Sequence, residues 1–215
     1  IVELPIDGIP PSPEKENEFA QLTIPLSGYG WEVLPETEVI HIKNATIWTC
    51  EAEGTILNGE ILIADGKILG VGKSIDMNNL FPKAQPEIRV IDAKGKHVTP
   101  GIIDEHSHIA ISRGVNEGTQ ASSAEVSIAD VVFPDDVNIY RQLAGGVTAA
   151  QLLHGSANPI GGQSGIIKMR WGKTAEEMKI DYAVPFIKFA LGENVKQSNW
   201  GDFQRERFPQ TRMGV

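Results

Sequence analysis

The 215-residue chain predicts an α/β protein, with a small antiparallel β module leading into a parallel sheet covered by helices. Three observations carry this expectation. β-Branched residues alternate over about 38 to 99, where Asp65-Gly66 joins two apolar runs. After Pro100 the strand candidates become apolar on both faces. Helical patterns and glycine-rich turns then separate one candidate strand from the next.

Residues 1–36 carry Pro5, Pro10, Pro11, Pro13 and Pro25 among charges and glycines, and predict an irregular segment that drapes over the rest. "EVIHIKNATIWTC" reads as a strand, and "GEILIADGKILGVG" as a hairpin whose Asp-Gly pair supplies two positive φ angles. "EIRVIDAKGKHVT" completes the module, and "GIIDEHSHIA" is the first buried strand beyond it. In "PDDVNIYRQLAGG", Val137, Tyr140, Leu143 and Ala144 recur at helical spacing behind Asp135 and Asp136. "VTAAQLLHG", "GIIKMRWG" and "PFIKFALG" are further strands, with a short helix at "TAEEMK". Thr211 reads as a helix N-cap.

Composition narrows the function. Twenty-eight acids against 19 bases give a formal charge of −9, which disfavours nucleic acid or an anionic membrane surface as partner. No apolar stretch reaches the roughly 18 residues of a spanning helix. The single cysteine, Cys50, excludes an internal disulfide and argues against a thiolate metal site. Both a cytoplasmic location and a periplasmic or secreted one, after removal of an upstream signal, fit the sequence. A homo-oligomer is equally compatible with it.

His106 and His108 stand one residue apart in the first strand after Pro100. Strand residues i and i+2 project from one face about 6.6 Å apart, so two imidazoles can lean onto one divalent ion. Asp104 shares that face and can ligate, or fix an imidazole tautomer from behind. The competing reading is two buried histidines satisfied by backbone carbonyls. His154 opens "HGSANPIGGQSG", a loop suited to facing a substrate, which makes His154 and Gln163 candidate substrate contacts, although any tight turn looks similar. Arg205, Arg207 and Arg212 read as a solvated surface, interleaved as they are with Asp202 and Glu206.

"VIDAKGKHVTPGIIDEHSHIA" resembles the amidohydrolase superfamily, in which a β-sandwich strand runs into a "PGxIDxHxH" first barrel strand. The match falls on Pro100, Gly101, Ile103, Asp104, His106 and His108. "RQLAGGVTAAQLLHGSANPIGGQSGIIKMRWG" and "FIKFALGEN" are similar to its imidazolonepropionase-like branch. The resemblance is best from about Gly59 onward and faint or absent over residues 1–36. It implies an irregular segment 1–36, a small β-sandwich module 37–99 and, over 100–215, the first half of a (β/α)₈ TIM-type barrel. It also implies one or two divalent ions, zinc first with iron or manganese as alternatives, held by His106 and His108. The next ligand is then either Lys188, carbamylated and bridging, or Glu193.

A full barrel needs about 250 residues, and 115 follow Pro100. No histidine lies beyond His154, so the second histidine pair and the late aspartate that the resemblance implies are not in this sequence. The expectation is an N-terminal portion that is inactive and poorly soluble alone, with the C-terminal half of the barrel and a small molecule as partners. The implied activity is metal-dependent hydrolysis of a C–N bond in a cyclic amide or peptide-like substrate. Deamination, or a non-catalytic binding or scaffold role, are the alternatives.

Overall fold

In a computed structural model, the described residues are 22–83, 86–118, 120–196, 209 and 211–215. β1 (Val39–Trp48) is the centre of the first sheet. It pairs antiparallel with β2 (Thr55–Ala64), which pairs antiparallel with β3 (Lys67–Gly72). The β2–β3 turn is the expected one: Asp65 and Gly66 have φ of 50° and 69°, the two left-handed residues that match the twist of the flanking strands.

The module is not wholly antiparallel, in contrast to expectation. β4 (Ile88–Asp92) and β5 (His97–Val98) both run parallel to β1. The reason is the long connection after β3, which carries helix α1 (Met77–Leu80) and brings the chain back to the starting edge. Ala45, Ile47, Ile61 and Ala93 form the buried cluster of this sheet.

The second sheet has the order β6 (Ile102–Ser107), β7 (Val147–Leu152), β9 (Gly165–Lys168). β6 and β7 are parallel, joined by a crossover that contains a 3₁₀ turn at Ile128–Val131 and helix α2 (Val137–Ala144). The expectation of parallel strands fails at β9, which is antiparallel to β7. Residues 153–164 hold no helix to carry a crossover. They hold a strand that was read as loop, β8 (Ile160–Gln163), which pairs antiparallel with β10 (Ile187–Phe189).

Helix α2 packs Ile139 against Ile128, Ala150, Leu152, Ile167 and Trp171. Each fully buried aliphatic there contributes about 1.5–3 kcal/mol. Helix α3 (Ala175–Met178) closes the far end with a reciprocal cap between Thr174 and Glu177, and buries Met178 in the same cluster. Tyr29 and Trp31, ahead of β1, lie against this core. Tyr29 stacks on Tyr140 with centroids 4.5 Å apart, and Trp171 Nε1 donates to Tyr29 O at 3.0 Å. Thr211, expected to cap a helix, instead closes a turn, its Oγ1 accepting from Gly214 N–H at 3.2 Å.

Candidate metal centre

His106 and His108 lie at the end of β6, where Ser107 stands beside Leu152 of β7. Their ring centroids are 5.2 Å apart and the rings meet edge to face at 85°. Both side chains are exposed, while Ser107 between them is buried, as alternation along a strand requires. The two imidazoles therefore share an open face.

His108 Nδ1 is 2.8 Å from the carbonyl oxygen of Leu153. A carbonyl can only accept, so Nδ1 carries the proton, and in the neutral ring Nε2 is left with its lone pair. Metal-binding histidines have this arrangement, one nitrogen tied to a backbone carbonyl and the other free. His106 Nε2 faces Lys188 Nζ at 3.2 Å. An ammonium can only donate, so Nε2 is the acceptor of that pair.

Lys188, half-buried between two exposed neighbours, thus reaches the histidine pair from β10, which pairs with β8 rather than with β6. Asp104 does not hold an imidazole. Its Oδ1 accepts from the backbone N–H of His106 at 3.2 Å, a contact two residues along the same strand. Glu193 starts a short 3₁₀ turn and ion-pairs with Lys196 and with Arg212, the latter at 2.5 Å. The Lys196 hydrogen bond, aided by Arg212 against the opposing effect of desolvation, holds its carboxyl below the usual range. Glu193 is thus paired with two cations of this chain. Among the described residues no three His, Cys, Asp or Glu side chains converge as a ligand set. Arg212 serves this pair, while Arg205, Arg207, Asp202 and Glu206 lie outside the described residues.

The two residues expected to contact substrate, His154 and Gln163, both have hydrogen-bond partners within the chain. His154 is 1% exposed and both of its nitrogens are engaged. Gln163 is exposed, and its Nε2 donates to Ala124 O at 3.2 Å, fastening β8 to the preceding loop. Sequence reasoning missed two contributors to the centre. One is the Leu153 carbonyl, a backbone group that leaves no mark in side-chain spacing. The other is Asp136, whose Oδ2 accepts from Ala110 N–H at 2.7 Å, two residues past His108. In the sequence it stood out only as an acidic residue at the start of a helical pattern.

The chain is 34% identical over 205 aligned residues to an amidohydrolase, tasK, of Hapsidospora irregularis, covering 80% of this chain and 20% of that protein. It is 32% identical over 117 residues to the imidazolonepropionase of Colwellia psychrerythraea, covering 54% and 27%. A solved amidohydrolase from Thermotoga maritima superposes with a TM-score of 0.65 at 35% identity, over 81% of this chain and 44% of that one. The chain therefore spans between a fifth and a half of the length of these relatives. No protein-family profile matches it. The chain belongs to the amidohydrolase superfamily.

Proposed function

We propose that the chain carries the metal-holding strand of a divalent-metal-dependent hydrolase of C–N bonds, acting on a cyclic amide or peptide-like small molecule. One observation carries the reading: His108 donates Nδ1–H to Leu153 O, which leaves a bare Nε2 on an exposed ring 5.2 Å, centroid to centroid, from that of His106. The donor chemistry, two imidazoles and no thiolate, suits zinc, with iron or manganese as alternatives. In this reading β6 is the first strand of a (β/α)₈ barrel and residues 37–99 are a β-sandwich module. Further ligands and the proton-handling group are contributed by sequence outside this chain.

A divalent ion held there would lower the pKa of a bound water to about 7 and polarise the scissile carbonyl. The chain's own residues do the rest. The Leu153 carbonyl fixes the tautomer and ring plane of His108. As an ammonium, Lys188 occupies the lone pair of His106 that an ion would need. Loss of one proton from the ammonium, followed by CO₂ uptake at the free amine Nζ with loss of a second proton, would convert it from a cationic competitor to an anionic carbamate. The named activities of relatives support the bond class. They include imidazolonepropionase and, 29% identical over 92 residues, the N-substituted formamide deformylase of Arthrobacter pascens.

Metal analysis tests the proposal. The intact protein that contains this chain should carry zinc, iron or manganese as isolated, and His106→Ala with His108→Ala in it should abolish both metal content and hydrolysis. A double variant retaining stoichiometric metal rules the reading out. Metal binding without turnover of any cyclic amide or dipeptide favours the scaffold role instead.

A further inference from the structure

We propose that His154 is a positioning residue that sets the peptide group on which His108 depends. This rests on the metal-holding reading of His108. The acceptor for His108 is the carbonyl of Leu153, and that carbonyl belongs to the same rigid peptide unit as the nitrogen of His154. Whatever fixes the backbone at His154 therefore aims the oxygen that orients His108.

The imidazole of His154 is fixed from both sides. Its Nε2 accepts the backbone N–H of Glu117 at 2.7 Å, and Nδ1 lies 2.8 Å from the carbonyl of Gly155. An amide N–H only donates, so Nε2 is bare and Nδ1 carries the proton. Neither nitrogen is left for a substrate. The ring is packed as tightly as it is bonded. A Cβ on Gly161 would come 2.8 Å from Nδ1, so residue 161 has room only for a hydrogen.

The partner loop is itself anchored. Asn158 Nδ2 donates to Glu117 O at 2.6 Å and to Ser123 Oγ at 2.5 Å, while Ser123 Oγ donates to Gly161 O at 3.1 Å. Gly155 N–H donates to Val115 O at 2.6 Å. Asn158 and Ser123 are fully buried. On the other side, Leu153 N–H donates to Ser107 O at 3.0 Å, which fastens the same residue to β6 between the two histidines. Residues 115–117, Ser123, the strand end 152–155 and β8 are thus one polar assembly, with the His154 ring at its centre. A surface loop with no such task has no need of a buried imidazole, whose every polar atom must be satisfied.

The test uses the ¹⁵N-labelled full chain and zinc ion alone as the probe. Wild type should show His108 as a single Nδ1–H tautomer in long-range ¹H–¹⁵N spectra. His154→Leu, which loses both bonds, and His154→Asn, which keeps only the donor near Gly155, should mix the His108 tautomers. In both, zinc affinity should fall by about ten-fold or more, the range typical of a lost outer-sphere partner. His154→Gln, whose amide oxygen reaches the Glu117 N–H, should restore both readouts. Leu and Asn variants with wild-type tautomer and affinity overturn the proposal while the metal reading stands. Zinc bound equally by wild type and His108→Ala overturns both. If the variants do not fold, the unmodified chain decides: His154 must show Nδ1–H with a bare Nε2, and the reverse tautomer overturns the proposal.

Discussion

Asp136 spans two tasks with one carboxylate. Its Oδ1 accepts the Asn138 N–H at 2.9 Å and caps α2, while Oδ2 takes the Ala110 N–H at 2.7 Å. Ala110 is buried and held at φ 54°, an uncommon conformation for a residue with a Cβ, so its amide needs a partner that aims at it. Asp136→Ala should cost about 1 kcal/mol for the cap and a further 1–3 kcal/mol for the stranded amide. Denaturant unfolding should therefore give about 2–4 kcal/mol, with Asp136→Asn losing less because the capping oxygen survives. A loss under about 1 kcal/mol would mean that the Ala110 contact contributes nothing. That the two histidine rings lie together was legible from spacing, because alternation along a strand fixes which residues share a face. Asp136, His154 and the Leu153 carbonyl were not. Their roles depend on which backbone groups a loop brings near, and no spacing rule records that.

The strands show the same division. Asp65-Gly66 could be read as a hairpin because the turn's backbone demands those residue types, and α2 was marked by its helical periodicity behind two acids. β8 was hidden because "IGGQ" contains two glycines and no β-branched run beyond Ile160, so its pairing with β10 comes from tertiary context. In the first sheet an ion cluster ties β1 to β2 and to the loop after β3. Glu60 Oε2 receives His41 Nε2 at 3.0 Å and Ile75 N–H at 3.1 Å, with Lys43 at 3.7 Å from Oε1. Burial raises the Glu60 carboxyl, but the Ile75 amide, His41 and Lys43 together outweigh it and hold the group below its ordinary value. A depressed carboxylate contributes stability above the unfolded-state pKa of about 4.3 and loses it as pH falls through the lower folded value. Unfolding free energy should then drop from about pH 5 downward, and Glu60→Gln should flatten that acid limb. An acid limb of equal slope in both proteins would remove Glu60 as its source.

The molecule leaves much apolar surface facing water. Ile102 and Ile103 on β6, Phe186 and Phe189 around β10, and Ile68 and Val71 on β3 are all exposed. The face of β1 to β3 also frames a hollow of about 560 Å³ lined by Ile47, Ile61, Ile63 and Val98. β3 is a sheet edge as well, so unpaired backbone lies beside those side chains. A charge of −9 opposes association through repulsion that reaches about 8–10 Å at physiological salt and about 3 Å at 1 M. Apolar attraction is not screened in this way and is strengthened by excluded salts. The balance should therefore tip with ionic strength. Light scattering of this 215-residue chain should show a mass that rises with concentration, and more steeply at high salt. Ile68→Lys with Val71→Lys adds two cations to the flanks of an edge strand and should lower that mass. The two lysines also bring the net charge closer to zero, so a fall in association would have to come from lost apolar contact and the charged edge, because reduced overall repulsion acts in the opposite direction. A monodisperse monomer across both salt conditions would mean that the exposed faces are too divided to meet another chain.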